Sequence, residues 1–157
     1  MAAAAREENG DTMSLFTRMP KIDHLLVVAA IGVAEKRTSG EIRVVIARRL
    51  AADPVAAARN EFERLGMTRT RQRNGVLIYL APRSRTFAVI GDTAIHDRCG
   101  GPFWRDLAAA MTGHFQRGDF TGGLVHGINR AGALLAEHFP RTAGDQDELP
   151  NKVEETD

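Results

Sequence analysis

Between Lys21 and Phe139 the apolar positions fall into blocks whose spacing alternates between helical and extended, and that alternation predicts the order of elements. Ile22, Leu25, Leu26, Ala29 and Val33 recur at helical spacing and predict a first helix with these residues as its apolar face. Thr38-Ser39-Gly40 stops it, with Gly40 suited to a left-handed closing position. Glu41 to Arg48, built around Ile42, Val44, Val45 and Ile46, reads as a central strand. Asp53-Pro54 pairs an N-cap with a proline at the first helical position, and Val55, Phe62 and Leu65 share a face until Gly66. Asn74-Gly75 leads into the buried run Val76 to Ala81. The turn Pro82-Arg83-Ser84-Arg85 then returns the chain through Thr86 to Ile90 as an antiparallel partner.

After a polar loop, Phe103, Leu107, Met111 and Phe115 mark a third helix, broken at Gly118-Asp119. Leu124, Ile128, Ala131 and Leu135 mark a fourth, closed by Pro140, and Gly122, Gly123 and Gly127 fit close helix packing. Strand, helix, strand and hairpin imply an α/β fold: a mixed β-sheet of three to four strands flanked by about four helices, an αβα sandwich. Residues 1–18 are expected to be a disordered lead-in, 19–140 the domain, and 141–157 an acidic mobile tail.

Composition narrows the function classes. The 157 residues suffice for one core, and 21 basic against 20 acidic side chains argue against a nucleic-acid-coating protein. The longest apolar run, Leu25 to Ala34, is half the length of a membrane span, so no membrane insertion is expected. One cysteine, and no basic n-region leading into a long apolar stretch, give the expectation of a soluble cytoplasmic protein. No phosphate-binding or dinucleotide glycine motif occurs, so no nucleotide cofactor is expected.

Several residues could carry chemistry. Cys99 and Arg105 have the C-x5-R spacing of a cysteine-dependent phosphatase loop, but Pro102 lacks an N–H to offer a phosphate and the strand ends well before Cys99. Arg69, Arg71 and Arg73 alternate in a loop without interleaved aromatics, which favours a solvated loop over a nucleic-acid contact. His114, His126 and His138 are twelve apart on two helices, away from the three- or four-residue spacing of helical zinc pairs, and read as surface histidines. Asp92, His96 and Asp97 fall in the loop after the hairpin. There Asp92 and Asp97 are candidate ligands for calcium or magnesium, provided other oxygens such as those of Glu41 or Asn74 converge on them. The competing structural reading makes Gly91-Asp92 a turn and helix cap.

Taken together, Glu35-Lys36-Arg37-Thr38-Ser39-Gly40-Glu41-Ile42-Arg43, Arg73-Asn74-Gly75-Val76-Leu77-Ile78-Tyr79-Leu80-Ala81, Phe87-Ala88-Val89-Ile90-Gly91-Asp92 and Gly101-Pro102-Phe103-Trp104 resemble the TPM domain family over roughly residues 20–155. The resemblance implies an α/β sandwich. It also implies a binding or accessory role with an unidentified protein partner, a divalent metal such as calcium, or alternatively weak metal-dependent acid phosphatase activity. Relatives in that family are diverse: photosystem II repair proteins, an accessory protein of acetylcholine receptors, weak phosphatases and calcium-binding modules. On this reading Asn74, Arg85, Asp92, His96 and Asp97 form the functional loop, with Arg85 neutralising phosphate in the phosphatase version. Where the secreted branch has Gly-Tyr-Gly-Leu-Glu, this chain has Gly91-Asp92-Thr93-Ala94-Ile95-His96, so His96 replaces a commonly acidic position. That form, with Glu148-Leu149-Pro150 near the end, is similar to a shorter soluble bacterial branch.

Overall fold

Alternate residues of two neighbouring strands supply both faces of the core. In the computed structural model, which describes residues 2–6, 19–142 and 153–156, β2 (Glu41–Ala47) and β3 (Gly75–Ala81) run parallel, with Ile42 opposite Val76 and Ile46 opposite Leu80. Both strands are buried along their whole length; β3 reads as a continuous apolar run, whereas β2 also buries Glu41 and Arg43. The crossover between them is α2 (Pro54–Arg64), begun by the Asp53 side chain accepting the Ala56 N–H and followed by Gly66 at φ +71°. A 3-10 turn over Pro82–Ser84 folds β3 back onto β4 (Thr86–Gly91), antiparallel, with Ile78 opposite Val89.

Two further strands close the sheet. β1 (Ala2–Arg6) pairs antiparallel with β4, and β5 (Val153–Thr156) pairs parallel with β2, giving the order β1-β4-β3-β2-β5. Both lie in the terminal segments read from sequence as disordered or mobile; at 2–6 and 153–156 that expectation is corrected, while 7–18 and 143–152, including Glu148-Leu149-Pro150, lie outside the described residues. β5 has a physical reason to dock. Arg43 is buried in the middle of β2, and Glu154 of β5 receives its Nη2–H at 3.0 Å.

Helices α1 (His24–Glu35), α3 (Thr93–Gln116) and α4 (Phe120–His138) cover one face, their Ile31, Trp104, Leu107, Met111, Ile128 and Leu135 packing on Ile42, Val44, Ile78 and Val89. α2 covers the other, with Ala58 and Phe62 against Val45, Leu77, Tyr79 and Ile90. The result is the α/β sandwich with a mixed sheet and four helices that the periodicity implies. Among the described residues no helix is long and apolar enough to cross a membrane.

Three local expectations change. The buried stripe of α1 is Val27, Ile31 and Ala34, whereas Leu25 (83% exposed), Leu26 and Val33 face outward. A helix apolar on every side carries no periodic signal of which side is buried. Gly40 is not left-handed; it is small because a Cβ there would sit 2.9 Å from a Leu135 methyl and 3.2 Å from the Asn74 carbonyl oxygen. Finally, α3 begins at Thr93, ten residues before Phe103, and contains a break at Gly100 (φ 70°, ψ 171°). The Gly100-Gly101-Pro102 punctuation marks that break rather than the helix start.

Candidate functional site

Asp92 sits where β4 becomes α3, and the local sequence dictates its place. As the N-cap its carboxylate accepts the Thr93 N–H at 2.7 Å, and its carbonyl receives the Ile95 and His96 N–H groups. Its own N–H donates to the Gly75 carbonyl at 2.9 Å, tying the cap to the base of β3. The guanidinium of Arg73 grips both carboxylate oxygens, Nε–Oδ2 at 2.8 Å and Nη2–Oδ1 at 2.9 Å. Arg73 reaches this position from a left-handed backbone (φ 51°), and its carbonyl accepts the Ala94 N–H. The Asp92 side chain is 4% exposed and that of Arg73 46%. The carboxylate therefore raises the Arg73 pKa, by hydrogen bonding first and by charge second.

This junction is the floor of a cleft of about 280 Å³ between α2 and the start of α3. Arg59, Phe62 and Glu63 line one wall, Thr93, His96 and Asp97 the other, with Thr68, Ile90, Gly91 and Asp92 between. The helical form of Thr93–Cys99 replaces the expected loop, so His96 and Asp97 project from the first turns of α3 and both are exposed. Trp104 stiffens the floor from behind. It is buried, and a Cβ on Gly91 would meet its ring at 2.7 Å.

Of the five residues singled out in the sequence, Asp92, His96 and Asp97 thus line one cleft. Asn74 is close along the chain but turned elsewhere: fully buried, its Nδ2 donates to Ser39 Oγ and its N–H to Thr70 Oγ1, while its Oδ1 has no hydrogen-bond partner among the described residues. Arg85 is remote. It follows the 3-10 turn at φ 52°, at the opposite end of the six-residue β4 from Asp92, a separation of about 20 Å. There it borders a small apolar dimple with Leu80, Phe87, Phe115 and Phe120. Arg85 and Asp92 cannot hold one phosphate between them. The residues missed by sequence reasoning are Arg59, Glu63 and Thr68; Glu63 and Arg59 are four apart on the polar side of α2, a signal visible only once α2 is known to face the hairpin end.

Two further motifs are settled in placement. Cys99 is half-buried beside the Gly100 break, and burial together with the Glu137 charge pushes its thiol pKa up, away from a nucleophilic thiolate. His114 and His126, expected as separate surface groups, lie side by side across the α3–α4 turn with ring centroids 5.3 Å apart. Among the described residues no three His, Cys, Asp or Glu side chains converge at metal-binding reach.

Comparison with known proteins places this geometry in a wider set. The family model described as the TPM domain matches residues 24–134. The solved structure of the BA42 protein from the psychrophilic bacterium Bizionia argentinensis is similar at 39% identity, over 89% of this chain and 97% of that one, with a TM-score of 0.80. No curated protein matches the chain.

Proposed function

The chain belongs to the TPM domain family, and from that footing we propose that it is a binding module of the cytoplasm. Its working surface is the α2–α3 cleft, and it takes a hard divalent cation, calcium or magnesium, at the cleft mouth. The observation that carries this reading is that Glu63 and Asp97, with the hydroxyl-bearing Thr68 and Thr93, line one open cleft. Such donors are hard oxygens, which suit calcium or magnesium over softer metals. Asp92 shapes the floor rather than serving as a ligand, because Arg73 and the Thr93 N–H already occupy its oxygens. Two carboxylates with water completing the shell fit a low-affinity, largely hydrated ion, in the range of about 10⁻⁴–10⁻³ M. The single cysteine, with its unactivated thiol, accords with a reducing setting.

Calorimetric titration with calcium and then magnesium, to several millimolar, tests the proposal. The expected result is saturable one-to-one binding that disappears when Glu63→Gln and Asp97→Asn are combined. Absence of binding, or binding unaffected by the double variant, contradicts it.

A further inference from the structure

The α3–α4 corner holds a second constellation, separate from the cleft. Arg117, Gly118 (φ 76°) and Asp119 form a tight turn that folds α4 back along α3, and Gly123 lets the helices close because a Cβ there would run into the Phe115 ring. That closeness sets His114 of α3 and His126 of α4 side by side, ring centroids 5.3 Å apart and planes inclined by 33°. Asp119 does two jobs at once. Its Oδ1 accepts the Gly122 N–H at 2.9 Å, capping α4, and its Oδ2 lies 3.0 Å from His114 Nδ1. Both rings are partly open to solvent, and His126 makes no hydrogen bond among the described residues.

We infer that His114 and His126 together bind a transition-metal dication of the zinc class through their ring nitrogens, with Asp119 as the positioning residue behind His114. Two observations converge. A carboxylate on one nitrogen of an imidazole fixes the proton there and turns the other nitrogen's lone pair outward, the arrangement by which proteins orient metal-binding histidines. Two imidazoles on one tetrahedral ion, bound at about 2.0–2.1 Å, bring their ring centres to about 5 Å, which is the spacing found here. Two nitrogen donors select zinc, copper or nickel over calcium, so this site differs in chemistry as well as position from the cleft. The remaining coordination positions fall to water. The positive charges of Arg117 and Arg130 oppose the ion and Asp119 favours it, so the site is open and of moderate affinity.

The test is calorimetric titration of the full chain, free of any histidine tag, with zinc chloride at pH 7.5. One zinc per chain is expected, saturating in the micromolar range, with His114→Ala and His126→Ala each weakening it by at least about tenfold. Asp119→Asn keeps a cap-competent side chain yet is expected to weaken zinc by about tenfold with the fold intact by circular dichroism. His96→Ala, in the cleft, leaves zinc binding unchanged, and calcium binding at the cleft is unaffected by His126→Ala. Lack of zinc binding up to millimolar concentration overturns the inference, as does binding that survives both histidine variants.

Discussion

Asp92 and Asp97 are five residues apart and line the same cleft, yet their circumstances are opposite. Asp92 is enclosed: both oxygens are engaged by Arg73 and one also by the Thr93 N–H, its side chain is 4% exposed, and Trp104 seals the strand behind it. Asp97 stands in solvent one helical turn further on, opposite Glu63. Identical chemistry therefore has two uses. A carboxylate whose lone pairs are already filled holds the hairpin to the helix, and one whose lone pairs face water is available to a ligand. Residue type alone could not separate these two; only the partners do.

The floor should be the part that breaks the fold. Trp104→Ala empties the space under Gly91 and next to Ile95, and a loss of about 4 kcal/mol is expected, read as a shift in the denaturant midpoint. Asp92→Ala removes the cap of α3 and leaves a guanidinium without its carboxylate, for an expected loss of about 2 kcal/mol and a Tm lowered by roughly 6 °C. The Arg73 end of the same pair sharpens the comparison in a different way. Arg73→Gly loses the ion pair but relieves the left-handed backbone, so it should be more stable than Arg73→Ala, which loses the pair and keeps the strain; paired thermal melts decide the order. At the mouth, Asp97→Asn and Glu63→Gln should each shift stability by less than about 0.5 kcal/mol while weakening calcium.

Smallest is the effect expected at Cys99, two residues beyond Asp97. Its raised thiol pKa leaves less thiolate than a free cysteine between pH 7 and 9, so alkylation by iodoacetamide should be slower than for a model thiol and should accelerate only at higher pH. A rate at pH 7 exceeding the model thiol's would restore a nucleophilic role to the C-x5-R stretch.

Most of the fold was legible because the signals were local. Asp53-Pro54 starts α2, Gly66 takes the left-handed position after it, Gly118-Asp119 separates α3 from α4, and the runs around Val44, Ile78 and Val89 are the three inner strands. What escaped depended on partners distant in sequence. Ala2–Arg6 has no β-branched or aromatic residue, and it is a strand only because β4 offers an open edge. Val153–Thr156 docks where Arg43 needs a counter-charge. The face of α1 could not be read from a helix apolar all round. At the site, the cap reading of Gly91-Asp92 was available from the sequence, and it is the one the structure adopts. The grouping of Asn74 and Arg85 with Asp92 failed because sequence proximity to a hairpin does not say which end of it a residue occupies.

The central claim is that Asp92 builds the cleft and Asp97 with Glu63 uses it. The most direct measurement is a calcium titration followed by amide proton–nitrogen spectra of the full chain. The account predicts saturable shifts centred on Glu63, Thr68 and Asp97, with the Arg73 side-chain Nε–H signal unmoved because its bond to Asp92 persists. Shifts centred on Asp92 with displacement of the Arg73 signal, or no shifts at the mouth at all, would contradict it.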